Sequence, residues 1–268
     1  MFTLTRRESS PVPLEVDGIL PSKVANLSAL EVARLEVQHG NRREPLGEFF
    51  EVRSGSQGTR ADLLFAGDTS NVHGIGLGLD SGVLFVENAV GRHAGAKMTG
   101  GSLVLDSDVG DWLGAEMTGG SIEVRGSVAN QAGAAYRGSR RGMRGGVIRI
   151  RGGAGDELGL LMRRGAIRVD GSVGEFAGAS MIAGSMLLLG GTGARLGAGM
   201  KRGTIVTAGD VKLPSSFRYA CRFQPSFLGL FTKLFEDLPA SFGQEEMDCY
   251  RGDLLTGGRG EVLVHGPA

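Results

Sequence analysis

An all-β fold, a right-handed parallel β-helix, is what this 268-residue sequence predicts, and three observations carry the expectation. A 19-residue unit recurs through the middle of the chain. Two alternate positions in each unit are apolar, with variable residues between them. Glycine is heavily enriched, 47 of 268 residues, and it falls at fixed places in the unit.

Units starting at Val90, Val109, Val128, Ala154, Val173 and Thr192 are spaced 19, 19, 26, 19 and 19 residues apart, so the third carries seven extra residues. The sixth slot is Gly95, Gly114, Gly133, Gly159, Gly178 and Gly197. The ninth is Met98, Met117, Met162, Met181 and Met200, with Met143 filling it in the long unit if the insertion lies just before that residue. The fourteenth is Leu103, Ile122, Ile148, Ile167, Met186 and Ile205. A weaker unit around Gly76, Gly82, Leu84 and Val86 precedes these, and Leu64–Gly67 ends an earlier turn.

Nineteen residues are too few for a pair of helices. Slots 14 and 16 alternate with variable residues, as in Ile122-Glu123-Val124, which is the two-residue period of a strand. Closely spaced glycines break helices and supply positive-φ turns. Such a unit closes on itself as one coil, and about seven coils stack at strand spacing, about 4.8 Å. Like residues then form columns, with the methionines and the slot 14 aliphatics inside.

The repeat domain is expected over 63–210, between an N-terminal arm, 1–62, and a C-terminal arm, 211–268. The first arm holds short strand-like stretches and a helix at Pro45–Phe50. In the second, Phe227, Phe231, Leu234 and Leu238 follow helical spacing between Pro225 and Pro239, an amphipathic helix to cover a sheet edge. Met186-Leu187-Leu188-Leu189 is apolar on both strand faces, so either this arm or another protein must cover Leu187 and Leu189.

Composition narrows the function. Net charge is zero, which gives no global pull toward nucleic acid or anionic membrane. No apolar run approaches a membrane span and the first residues carry charges instead of a leader's apolar stretch, so a cytoplasmic location is expected. Cys221 and Cys249 form no metal-ligand spacing; they are either two reduced, buried thiols, the default, or a lone disulfide. His39, His73, His93 and His265 are scattered; His73 and His93 lie about one coil apart and would stack as a solvated pair. Gly74-x-Gly76-x-Gly78 lacks the rest of a dinucleotide fingerprint and reads as a turn. The Gly91-xxx-Gly95 spacing mimics a membrane dimer motif but sits among charges. No catalytic set and no metal site is suggested.

The charges are uneven. Residues 135–168 carry nine arginines against Asp156 and Glu157, while 236–253 carry six acids against Arg251. Arg137, Arg140 and Arg141 in the insertion, Arg144 after it, Arg163-Arg164, and Lys201-Arg202 would lie above one another on stacked coils. They are either a solvated, salt-bridged face or a docking surface for an acidic partner or polyanionic ligand.

The run Gly91-xxx-Gly95-xx-Met98-xx-Gly101-x-Leu103-x-Leu105 and its successors resembles the GXGXG repeat domain. That domain occurs in glutamate synthase and in the C subunit of formylmethanofuran dehydrogenase. The tail, Tyr250-Arg251-Gly252-Asp253 followed by Gly257-Gly258-Arg259-Gly260, is similar to the second family's ending, and residues 35–51 match its N-terminal arm. The resemblance implies a non-catalytic C subunit that binds no cofactor itself. It implies either a tungsten or molybdenum formylmethanofuran dehydrogenase or the related bacterial formyltransferase/hydrolase complex of one-carbon metabolism in methylotrophs. Its partners there would be a formyltransferase, an amidohydrolase-type hydrolase and a dehydrogenase B-like subunit. Arginine exceeds lysine 24 to 5, which favours the bacterial version. A methanofuran-type carrier with a glutamyl tail would then be the polyanion for the arginine stripe. A free glutamate synthase-like domain is opposed by the C-terminal arm, and a polysaccharide lyase by the lack of clustered acids.

Overall fold

The computed structural model describes residues 1–55 and 61–265 and is dominated by strands. Each repeat delivers its slots 13–16 as one strand to a large, mostly parallel sheet. The strands Ser102–Leu105, Ser121–Val124, Arg144–Ile150, Arg164–Val169, Ser185–Leu188 and Thr204–Thr207 lie side by side in that order. Their register puts Leu103, Ile122, Ile148, Ile167, Met186 and Ile205 opposite one another. A second row of parallel bridges joins slot 1, Val90 through Thr192. The chain therefore returns to the same place once per unit. Met98, Met117, Met143, Met162, Met181 and Met200 are all 0% exposed, so Met143 does take the ninth slot of the long unit. Each buried thioether contributes about 1.5–3 kcal/mol.

Between slot 1 and the strand, the units are held by an alternating backbone pattern. Slot 4 residues have positive φ, from His93 (66°) and Trp112 (68°) through Phe176 (59°) and Arg195 (62°), and so do Lys97, Glu116, Leu161 and Ser180 at slot 8. The left-handed turn aims each amide forward: the N–H of His93 donates to Asp111 and that of Trp112 to Asn130. The slot 6 glycines donate backward, Gly95 to Ile75 and Gly114 to Ala94. A unit thus bonds both neighbours from one short arc. Slot 6 glycines also have positive φ, such as Gly95 (60°) and Gly114 (58°), and a Cβ there would crowd the buried slot 14 side chains, at 2.7 Å from Ile122 Cδ1 and 2.8 Å from Ile148 Cδ1.

The arms extend the sheet at both ends. Phe2–Arg6 pairs parallel with Leu63–Ala66 and antiparallel with Phe50–Ser54. Leu14–Glu15 joins Val72–His73, Glu36–His39 and Arg42–Pro45 in a four-stranded second sheet. The expected helix after Pro45 is present as Leu46–Phe49. At the far end Gly260–His265 adds parallel to Thr204–Thr207, followed antiparallel by Met247–Gly252 and the edge strand Arg218–Phe223.

The C-terminal helix is shorter than the spacing predicts, and it is rotated. A 3-10 turn, Ser226–Leu230, runs into a four-residue α-helix, Phe231–Leu234. Leu228, Phe231, Phe235 and Leu238 face inward, whereas Phe227 and Leu234 are exposed. Gly229 and Pro239 bound a stretch too short for a longer helix, and Phe235 already leaves helical conformation (φ −133°, ψ 85°). Just beyond, an ionic clamp holds the chain: Asp237 accepts from Arg168 Nη1 and Nη2 at 2.8 and 3.1 Å and also pairs with Arg149. The arm covers Leu187 and packs against Leu189, so this chain supplies its own lid for that strand.

Candidate functional site

Four of the expected cations converge. Arg163, Arg164, Lys201 and Arg202 line a cavity of about 570 Å³ together with Ile182, Ala183, Thr256, Gly257 and Arg259. The repeat positions the first four. Slots 10 and 11 sit at the entry to the sheet strand, so cations on alternate units flank the uncharged Ile182-Ala183 of the unit between. The C-terminal loop supplies the remaining wall. Buried Asp253 fixes that loop by accepting from the Gly199 and Leu255 amides, and the Thr256 hydroxyl donates to the Met200 carbonyl. Burial pushes the Asp253 carboxyl up, but the hydrogen bonds from Gly199, Leu255 and Ser216 outweigh it, and the net pKa lies below the usual range.

Arg144 extends the group, since it pairs in register with Arg164 on the neighbouring strand. Arg137, Arg140 and Arg141 do not line the cavity. They lie on the insertion, which leaves and rejoins the repeat where Ala135 and Gly142 donate to Leu160 and Leu161. The cavity therefore takes only part of the expected stripe, and the three insertion arginines are outside its lining. Among the described residues, none of these cations makes an ion pair. The other arginines of 135–168 do: Arg149 and Arg168 with Asp170 and Asp237, and Arg151 with Glu123. Part of the charge asymmetry is thus satisfied within the chain. The remaining positive potential suits a ligand with several carboxylates or phosphates. Arg259 falls outside the expected set. Its only signal in the sequence is its place in the Gly257-Gly258-Arg259-Gly260 ending.

A second cluster sits on the slot 4 column. His93 stacks on Trp112 (centroids 6.4 Å, 19°) and Trp112 on Tyr136 (4.9 Å, 29°), while His93 Nδ1 and the Tyr136 hydroxyl lie 3.0 Å apart. Lys97 lies 5.6 Å above the Tyr136 ring. Desolvation, with Glu116 and Asp17, pushes the Tyr136 phenol up to about 12. Burial, then Arg92, lowers the His93 pKa. The expected His73–His93 stack does not form: the His93 ring is taken by Trp112 and Tyr136, and His73 Nδ1 accepts from the Arg92 amide. The two cysteines are free, but only Cys249 is buried; Cys221 is exposed on the edge strand. Among the described residues, no group of three or more His, Cys, Asp or Glu is placed to hold a metal, and no helix is long and apolar enough to cross a membrane.

No protein-family model matches the chain. Over 96 residues it is 38% identical to the C subunit of the molybdenum-containing formylmethanofuran dehydrogenase 1 of Methanothermobacter thermautotrophicus, covering 35% of this chain and 23% of that protein. Over 95 residues it is 37% identical to the C subunit of the tungsten-containing formylmethanofuran dehydrogenase 2 of the same organism, covering 35% of each. The chain thus spans only 23% and 35% of the length of these curated relatives. The crystal structure of the formyltransferase/hydrolase complex (FhcABCD) from Methylorubrum extorquens in complex with methylofuran contains a chain similar along its whole length. The TM-score is 0.86 at 30% identity, over 99% of this chain and 100% of that one.

Proposed function

The chain belongs to the family of formylmethanofuran dehydrogenase C subunits, and we propose that it is a non-catalytic structural subunit of a formyltransferase/hydrolase complex. Its role is to hold the formyltransferase and the amidohydrolase-type hydrolase together, with a dehydrogenase B-like subunit beside them. The observation that carries this reading is the match to a chain of such a complex over essentially the full length of both. The stacked units are read as a right-handed parallel β-helix over 63–210, and the stretches 1–62 and 211–268 as arms that dock neighbours. A long, self-satisfied stack of this kind is stiff, which suits a part that fixes the distance between other active sites.

The cationic cavity and the insertion receive the carrier. A methanofuran-type molecule with a glutamyl tail offers a row of carboxylates, and Arg163, Arg164, Lys201, Arg202 and Arg259 offer unpaired donors at one mouth. Arg137, Arg140, Arg141 and Arg144 extend the positive path. Exposed charges attract such a tail over about 8–10 Å at ordinary ionic strength, so guidance should weaken with salt.

A second reading, the C subunit of a tungsten or molybdenum formylmethanofuran dehydrogenase, is favoured by the identity to those proteins over about a third of the chain. Purifying the tagged chain from its native cells separates the two. The proposal expects formyltransferase and hydrolase subunits in fixed ratio, release of formate, and no tungsten or molybdenum. Stoichiometric tungsten or molybdenum with formylmethanofuran oxidation supports the second reading, and a lone monomer overturns both.

A further inference from the structure

We propose that Cys221 and Cys249 are a cross-strand dithiol, a modification site that a small-molecule disulfide converts into an intramolecular disulfide. The argument starts from register. Cys221 on the edge strand Arg218–Phe223 lies directly opposite Cys249 on Met247–Gly252 in an antiparallel ladder. Directly opposed residues point to the same face. Their Cα atoms are about 4.5–5.5 Å apart in either kind of antiparallel pair, inside the roughly 4.4–6.8 Å window of protein disulfides. The register shift between Tyr219 and Cys221 bends the edge strand at this point.

The two thiols differ in the way an attacking and a resolving group should. Cys221 is exposed on the last strand of the sheet among the described residues, whereas Cys249 is 1% exposed and packs with Leu263 and Val206. Burial pushes the Cys249 thiol up, and the neighbouring Cys221 adds to this. The first attack therefore falls to Cys221. Its thiolate cleaves the incoming disulfide, releasing one small thiol and leaving a mixed disulfide. Cys249 then loses its proton and attacks the Cys221 sulfur, releasing the second thiol. Two S–H bonds are lost and one S–S bond forms, while the small disulfide takes up two electrons and two protons.

The bond would close a loop holding the whole segment 224–246. That segment carries Leu228, Phe231, Phe235 and Leu238, which cover Ala166, Leu187 and Val206, and it carries the Asp237 clamp. Oxidation would therefore lock the arm shut.

The test uses the reduced full-length protein and oxidised glutathione as the probe, followed by intact mass under non-reducing conditions. The expected product is a monomer lighter by two hydrogen atoms, with Cys221 and Cys249 linked in peptide maps. Cys249→Ser should instead retain one glutathione on Cys221. Cys221→Ser, at an exposed site that folding tolerates, should keep its buried thiol unreacted. Protease cleavage within 224–246 should slow at least about tenfold in the oxidised protein. A persistent glutathione adduct on wild-type Cys221, a disulfide-linked dimer, or thiols that remain untouched would overturn the proposal. Equal cleavage rates in the two redox forms would overturn arm locking.

Discussion

Asp237→Asn tests the claim that one carboxylate clamps the C-terminal arm in place. Asp237 takes both Nη groups of Arg168, a side chain only 5% exposed, and also meets Arg149. The amide keeps the shape and removes the charge. Arg168 is not stranded, because its Nε still donates to Asp170 at 2.6 Å and its guanidinium still lies 5.6 Å from the Phe235 ring. Asp237 itself is 43% exposed, so solvent screens part of the interaction. A charged hydrogen-bond pair discounted in this way is worth about 1–3 kcal/mol. The open arm should become roughly five- to a hundredfold more populated. Native-state hydrogen exchange reads this at Phe235 and Leu238, whose amides bond to Phe231 and Phe235. Burial raises the Asp237 pKa, but the hydrogen bonds and charges of Arg168 and Arg149 lower it more, so its folded value lies below the ordinary one. Its contribution is then complete above the ordinary carboxylate range and lost as pH falls toward the folded value. The variant should lack that part of the acid dependence. Unchanged exchange at Phe235 and Leu238 in Asp237→Asn would refute the reasoning.

Gly159→Ala should destabilise by about 1–2 kcal/mol, from the strain of the positive φ (62°), with Met186 Cε swinging aside, and calorimetry should show a lower Tm. Met162→Ala, inside the methionine column, should cost about 2–5 kcal/mol in denaturant titrations. Charge reversal of Arg163 and Arg164 should leave Tm unchanged while weakening oligoglutamate binding and flattening its salt dependence in calorimetric titration. The His93 ring should titrate in NMR below the ordinary 6.5. Because the folded value is the lower one, protonation favours the unfolded chain, and stability should fall as pH drops through that ordinary value.

The stacking was legible because it repeats in the one dimension a sequence has. Slot 14 predicted a column, and Leu103, Ile122, Ile148 and Ile167 pair in register. The left-handed positions at slots 4 and 8 were not legible. They hold His93, Trp112, Gln131, Glu157, Phe176 and Arg195 in one column, types with nothing in common, because the conformation is imposed by amides reaching the next unit. Helical spacing overstated the C-terminal helix, since Gly229 and Pro239 bound it closely, and it carries no information about Asp237 reaching Arg168 across 69 residues. The cation site was half legible. Repeats align Arg163-Arg164 with Lys201-Arg202, but Arg259 comes from a segment outside the repeat, and the ion pairs that satisfy Arg149, Arg151 and Arg168 within the charge-rich segment depend on the fold.

The most direct test of the central claim is to delete this gene in the native organism and weigh what remains of the complex. If the chain holds the others together, tagged formyltransferase should elute without the hydrolase, and formyl transfer coupled to formate release should collapse while the separated proteins stay folded. Recovery of formyltransferase and hydrolase still bound to each other, at full coupled activity, would contradict it.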